Sequence, residues 1–300
     1  DYAEDVDAIT SIKLDGYDLG TDLSSLELPN AIKSDKPKHV DSTVTIALAH
    51  DGSPVNVKVP VLVVTKAIGD WNTFAGIFQG ANKYSKGVYT TGSYILTSDI
   101  SISGNLQVTG TDDNDAAWVG YGNAIITGSG FKGIFDGCGH KMTQTGGSIY
   151  LGGLFGVVTG GAIVRNVEIC NFAAKADSSY SGILGVQFNN STLENVIFNI
   201  VSVTGTADKT GLICNQYFRN NTVKNVTINA QGSTVYNVLG GYWGANATAG
   251  GSTFENFVIN AKEIINGLIC IGYASISLIL DLFHNKKENQ LLKNLRSLDY

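Results

Sequence analysis

The chain has 300 residues, enough for one large core or two modules, and only 15% of them are charged, with a net charge of −6. It has no basic stripe to neutralise a phosphate backbone, which argues against nucleic acid as a partner. The four cysteines, Cys138, Cys170, Cys214 and Cys270, lack paired metal-ligand spacing and read as small thiols rather than a disulfide framework.

Residues 1–30 are acidic and weakly patterned, apart from an apolar alternation at Ile12 and Leu14. Residues 43–49 alternate around Val44, Ile46 and Leu48, and residues 55–64 around Val55, Val57, Val59 and Val61. The stretch His50-Asp51-Gly52-Ser53-Pro54 joins them, with Asp-Gly as a hairpin signal. Residues 1–66 are therefore expected to form a small antiparallel β module, part of an immunoglobulin-like domain. They are short for one that stands alone. The chain starts at Asp1 without Met and is expected to be a fragment or a processed form.

Asp70 can N-cap a helix over about residues 70–82, with Trp71, Phe74, Ile77 and Phe78 on one face. Such a helix would lie across the end of a stacked core, and Trp71 would be a core anchor rather than a ligand platform. Asp112-Asp113-Asn114-Asp115 is an acidic loop. A calcium site is open there, as is a plain solvated loop, but the spacing is not that of an EF-hand.

The stretch 153–261 carries a repeat. Gly153-Leu154-Phe155-Gly156, Gly182-Ile183-Leu184-Gly185, Gly211-Leu212-Ile213-Cys214 and Gly241-Tyr242-Trp243-Gly244 start 29, 29 and 30 residues apart. A second landmark, the asparagines Asn166, Asn195, Asn225 and Asn256, follows at 29, 30 and 31. Two landmarks on one period signal a solenoid. Around each asparagine the positions two before, one after and three after are apolar in all four units. These are Val164, Val167 and Ile169; Leu193, Val196 and Phe198; Val223, Val226 and Ile228; Phe254, Phe257 and Ile259. The last two of each set share a face at strand period. The position just before the asparagine reads Arg165, Glu194, Lys224, Glu255 and should form an outward column of alternating charge. The position four after reads Cys170, Asn199, Asn229, Asn260, a second amide column. Both columns read as structural, because they recur in every unit. About 29 residues hold roughly three short strands with their turns, one turn of a parallel β-helix.

The tetrad resembles the GLUG motif, Gly-Leu-apolar-Gly, of bacterial cell-surface proteins. The strand-like stretch from Gly92 to Ile100 and the turn Phe131-Lys132-Gly133-Ile134-Phe135-Asp136-Gly137-Cys138-Gly139-His140 are similar to segments of the same family. The resemblance covers about residues 83–261, and Cys214 departs from it. It implies a right-handed parallel β-helix of pectate-lyase-like shape, which together with the capping helix read from Asp70 onward is expected to span residues 67–263. It further implies a non-catalytic, extracellular module at the bacterial surface, adhesin-like or a spacer, monomeric within a larger protein, with a glycan or a host surface protein as partner.

In the tail, 264–300, Gly267-Leu268-Ile269-Cys270 repeats the third tetrad. Residues 264–283 are nearly free of charge, and Lys286, Lys287, Lys293 and Arg296 follow. Leu291, Leu292, Leu295 and Leu298 suggest an amphipathic helix. A degenerate last coil with a capping helix, a membrane anchor with a basic flank, and an unrepresentative chain end remain open.

The enzyme reading, a polysaccharide lyase or glycoside hydrolase-like β-helix or its accessory domain, needs paired acids or a cation cluster. The acids Asp136, Glu168, Asp177, Glu194, Asp208 and Glu255 are scattered, and Arg165 and Arg219 lack an acidic cluster. Asp136 and His140 form a tempting acid–base pair, but their glycine-flanked setting reads as a turn. His39 and His50 lie in the N-terminal module. Tyr150, Tyr180 and Tyr236 fall at different offsets from their tetrads and make no single sugar-stacking column. No catalytic, cofactor-binding or metal-binding residue is assigned, and no cofactor is expected.

Overall fold

The computed structural model describes residues 8–22, 24, 41–50, 53–79, 91–104, 106–107, 110–111, 117–118, 130–147, 149–151, 153–175, 182–204, 212–236, 238–240 and 251–265. The N-terminal strands are β1 (Ala8–Leu14), β2 (Tyr17–Gly20), β3 (Asp41–His50) and β4 (Ser53–Leu62). After β5 (Lys66–Ile68) comes α1 (Trp71–Phe78), then β6 (Ser93–Leu96), β7 (Ile100–Ile102), β8 (Leu106–Gln107), β9 (Gly110–Thr111) and β10 (Ala117–Trp118). The stacked region holds β11 (Ile134–Asp136), β12 (Lys141–Gln144), β13 (Ile149–Leu151), β14 (Val157–Val158), β15 (Ile163–Lys175) and β16 (Gly185–Asn189). It continues with β17 (Thr192–Thr204), β18 (Cys214–Arg219), β19 (Thr222–Tyr236) and β20 (Thr253–Ile265).

The first four strands form one antiparallel sheet in the order β2-β1-β3-β4. The hairpin expected from Asp51-Gly52 is present as β3 and β4, paired from Asp41↔Leu62 to His50↔Ser53; the turn residues lie outside the described set. Period-two alternation puts Ile12, Ile46 and Val57 in one row. Burial falls across that row. Ile12 and Leu14 are buried, whereas Val55, Val57 and Val59 on the edge strand are each about two-fifths exposed. β2 is an addition to the sequence reading. Its four residues are too few and too polar to show a period, and Asp15, at φ 48°, and Gly16 turn the chain into it.

Apart from an antiparallel pair of β9 and β10, the rest is a parallel β-solenoid of about four turns. One sheet runs β20-β19-β17-β15-β11-β6-β5, with β12 and β7 joining its other half, and a second runs β14-β16-β18. The apolar columns stack as the periodicity requires: Val164↔Leu193↔Val223↔Phe254, Val167↔Val196↔Val226↔Phe257 and Ile169↔Phe198↔Ile228↔Ile259. The nine residues of the first three turns are at most 2% exposed, while Phe254, Phe257 and Ile259 are only partly buried.

Each long strand bends at its asparagine. Asn166, Asn195, Asn225 and Asn256 all adopt φ of 51–53°, the left-handed region. Asparagine is one of the few non-glycine residues that enter this region at low cost. The bend carries the chain from one face of the solenoid to the next. A second corner uses the same device, with Asn190 and Asn220 at φ 49° and 50° and Gly251 at 80°. That column was not expected. Its signal was present in the Asn-Asn pairs Asn189-Asn190 and Asn220-Asn221.

The tetrads lie where backbones of successive turns nearly touch. Leu154 N–H donates to the Ile183 carbonyl and Ile183 N–H to that of Leu212, at 2.9 and 3.0 Å. A Cβ on Gly153 would strike the Gly182 carbonyl, and one on Gly182 would strike Cys214, so both places demand glycine. Cys214 occupies the last tetrad position as a buried side chain, its Sγ donating to the Leu239 carbonyl at 3.2 Å. One expectation changes here. The seat beneath Cys214 is taken by Gly240, with Val238 and Leu239 buried beside it, rather than by the tetrad from Gly241, which lies outside the described residues.

Asp70 caps α1 as expected, its Oδ1 accepting from Thr73 N–H at 2.7 Å. The helix stops at Phe78, short of residue 82. Gln79 turns to extended backbone, and its side-chain Nε2 donates to the Leu154 carbonyl at 2.7 Å and the Gly153 carbonyl at 3.2 Å. Phe74 and Phe78 are fully buried against Phe135 and Phe155, with ring centroids 5.1–6.0 Å apart. Trp71 is partly buried and stacks on Phe74 at 5.7 Å, as a core anchor should.

Candidate functional site

The polar side chains that could carry chemistry converge along the corner between the two halves of the long sheet. Asp136 ends β11, and the coil register sets it over Arg165, then Glu194, Lys224 and Glu255. The charge column thus has one more member than expected, and its signs alternate throughout. Arg165 Nε donates to Asp136 Oδ2 at 2.7 Å, with both side chains less than one-fifth exposed. Asp136 Oδ1 also accepts from Cys138 N–H at 2.8 Å and Asn166 Nδ2 at 3.1 Å. Burial alone would raise the Asp136 pKa. The bonds from Cys138, Arg165 and Asn166 outweigh it and leave the pKa below the usual aspartate value.

The amide columns are continuous and directional. Asn195 Nδ2 donates to Asn166 Oδ1, Asn225 to Asn195 and Asn256 to Asn225, at 2.9–3.0 Å. In the neighbouring column Asn260 donates to Asn229 and Asn229 to Asn199, both at 2.8 Å. Asn199 in turn donates to Glu168 Oε1 at 2.6 Å. Cys170 holds the column position over Asn199, and the Glu168 carboxylate reaches across from two residues earlier to take the amide's hydrogen bond. Lys141 Nζ meets the other Glu168 oxygen at 2.9 Å, and Cys170 Sγ reaches Oε1 at 3.4 Å.

His140 faces Asp99, not Asp136: its Nδ1 lies 3.2 Å from Asp99 Oδ1, which also accepts from Lys141 N–H at 3.0 Å. The tempting Asp136–His140 pair is thus divided between two partners; Asp136 is the last residue of β11 and the turn lies just after it, at Cys138-Gly139, with Asp136 accepting from Cys138 N–H. Glu194 and Glu255 lie in one column with Lys224 between them. Arg219 ends β18 at the other corner. Asp112 to Asp115, Asp177, Asp208, Tyr180 and His39 lie outside the described residues, and so does the tail from residue 266.

The acids Asp136, Asp99 and Glu168 of this strip are each held toward the ionised form by neighbouring donors. Glycosidase chemistry needs one carboxyl kept protonated by a raised pKa. The pKa of Asp99 is lowered chiefly by the Lys141 N–H, and that of Glu168 chiefly by Lys141 Nζ. Lys141 itself is raised by Glu168, which keeps it protonated and non-nucleophilic. Burial is the leading cause raising the thiols of Cys138, Cys170 and Cys214, so none is a poised thiolate. Among the described residues no three His, Cys, Asp or Glu side chains group as a metal site, and no helix is long and apolar enough to cross a membrane.

Comparison with protein-family models, with curated proteins and with solved structures finds no match to any of them.

Proposed function

We propose that the chain is a non-catalytic module of a bacterial cell-surface protein, a rigid rod that either spaces other modules or offers a side face to a glycan or host protein. The observation that carries this reading is the use made of the recurring polar side chains. The asparagines and the charged residues bond to their counterparts in the next turn, and Asp136 and Glu168 are engaged by cations and amides that hold them ionised. Stacking accounts for them without a substrate. The likeness of the tetrads to the GLUG motif supports the surface assignment. On this reading the solenoid is right-handed, α1 is its N-terminal cap, and the antiparallel sheet of residues 8–62 is part of an immunoglobulin-like neighbour.

The test is an assay of the purified chain on pectins, other uronate polymers and neutral glycans, with and without calcium. The expected outcome is no release of reducing ends or unsaturated products, with retention on a glycan or host-matrix column marking the adhesin rather than the spacer. Product release abolished by Asp136→Asn or Glu168→Gln would establish the enzyme reading instead.

A further inference from the structure

The long strands present two outward faces, one on each side of the asparagine corner, and these differ in charge. Before the corner the outward columns are Thr192, Thr222 and Thr253 and the charged row Glu194, Lys224 and Glu255. After it, over the same three turns, every outward position is uncharged. One column runs Ile197↔Thr227↔Val258 and the other is the amide column Asn199↔Asn229↔Asn260. With the corner amides Asn195, Asn225 and Asn256, this face is a β-branched stripe between two rows of amides. Ile197 is 40% and Val258 46% exposed. Toward α1 the stripe column is continued by Glu168 and Lys141, so ions bound the uncharged face on that side.

The ladder bonds do not exhaust these amides. A primary amide has two N–H donors and an oxygen that accepts twice. Asn195, Asn225 and Asn229 each donate once to the turn before and accept once from the turn after. One donor and one acceptor site remain on each, repeated at the spacing of the turns, about 4.8 Å. Asn195 and Asn225 are exposed and Asn229 is half-buried.

We propose that this face binds a neutral polysaccharide chain laid along the stack, with Ile197, Thr227 and Val258 under its rings and the amides at its hydroxyls. The proposal rests on the reading of the solenoid as a non-catalytic surface rod. A sugar unit carries C–H groups on its ring face and hydroxyls around its rim, which matches an apolar stripe flanked by polar rows. Each hydroxyl both donates and accepts, as the remaining sites of each amide require. A uronate chain brings carboxylates, which only accept, onto a face where the described side chains offer no cation to meet them. An array that repeats turn by turn is used in full by a polymer of like units, whereas a folded protein surface has no matching period.

The test is affinity electrophoresis of the full chain in gels holding hydroxyethylcellulose, xylan, galactomannan or amylose, with polygalacturonate as the charged comparison. Retardation by at least one neutral polymer and none by polygalacturonate is expected. Thr227→Lys and Ile197→Glu should each weaken that retardation about tenfold or more, since the ion would lie under the sugar without a partner. Lys141 and Glu168 already stand in the same column, so the stack accepts either charge there, and urea midpoints check that both variants fold. Thr222→Lys, on the other outward face, should bind as the parent does. No retardation by any neutral polymer, stronger retardation by polygalacturonate, or equal losses in Thr222→Lys and Thr227→Lys would each overturn the proposal. The rod reading would survive all three as a spacer or a protein-binding module; it falls only if the chain releases sugar products.

Discussion

The two ends of the stack are built from similar residues and differ in burial. Near α1, Phe74 and Phe78 are completely enclosed by Phe131, Phe135, Phe155 and Tyr94. At β20, Phe254 and Phe257 occupy the same columns as fully buried residues one turn earlier, yet remain partly open. A side chain in a solenoid draws its stabilisation from the turns on both sides. The repeat letter fixes where a residue points; its neighbours fix how much it contributes.

The largest effect expected is at the enclosed end. Phe74→Ala should cost roughly 3–5 kcal/mol, because the void left among rigid aromatics cannot collapse. The sequence alone assigns the same cost to Phe257→Ala, but its partial exposure lowers the expectation to about half that amount. Urea denaturation of the two variants measures the difference, and hydrogen exchange locates it. The Phe257 damage should stay within β19 and β20, and equal losses at both ends would mean that the exposure at β20 has no energetic meaning.

Next come the corners, which are shared by every turn and so compare the interior with the ends. Asn195→Ala removes an amide that both donates and accepts, at about 1 kcal/mol per bond, and forces alanine into a left-handed backbone at about 1 kcal/mol more. Asn195→Gly loses the same bonds but keeps the backbone free. The two variants should therefore differ by about 1 kcal/mol. The same pair of changes at Asn256 should show an equal backbone difference but a smaller amide loss, because Asn256 makes one ladder bond among the described residues.

Acid should act on the stack through Asp136 and Glu168, whose carboxylates are held by neighbouring donors. Asp136 and Glu168 have folded pKa values below their unfolded ones. Their contribution is therefore complete above the unfolded carboxyl range and is lost as pH falls through about 4 and below. Urea midpoints between pH 6 and pH 3 should fall, and Asp136→Asn should flatten that limb while lowering stability at neutral pH. A limb unchanged by Asp136→Asn would remove the buried Arg165 pair from the account.

Much of this architecture was legible because period and chemistry coincided. Twelve apolar positions and four asparagines repeated together, and the structure stacks them rung on rung. The omissions share a physical cause: each depends on a neighbour that the period does not name. Asp136 lies 29 residues before Arg165, on the same period, but its turn is spelled with glycines and a cysteine, so it did not look like a rung. The Glu168 contacts with Lys141 and Asn199 start two residues after one landmark asparagine and reach, at Asn199, four after the next. The tetrad at Gly241 is the better match by letter, yet the hydrogen bonds of Ile213 and Cys214 go to Val238 and Leu239. The helix ends early because Gln79 is drawn to the carbonyls of Gly153 and Leu154, a contact 74 to 75 residues away in sequence.

The smallest effect belongs to the exposed part of the charge column. Lys224 Nζ lies 3.8 Å from Glu255 Oε1, with the side chains 41% and 62% exposed, a geometry in which water competes for both ions. Lys224→Glu would place three acids in successive rungs, so repulsion replaces attraction on two sides. Even so, the loss should be about 1 kcal/mol or less, since exposed pairs contribute little and long side chains can swing apart. Salt decides whether the column is electrostatic. The Debye length shrinks from about 10 Å at 0.1 M to about 3 Å at 1 M, so the difference between variant and parent should largely vanish at the higher concentration. Arg165→Glu supplies the contrast. Its side chain and that of Asp136 are 18% and 10% exposed, so the unpaired carboxylates would remain partly sequestered and the loss should persist in salt. If both losses were equally insensitive to salt, packing of the side-chain stems rather than alternation of charge would be what holds these rungs in register.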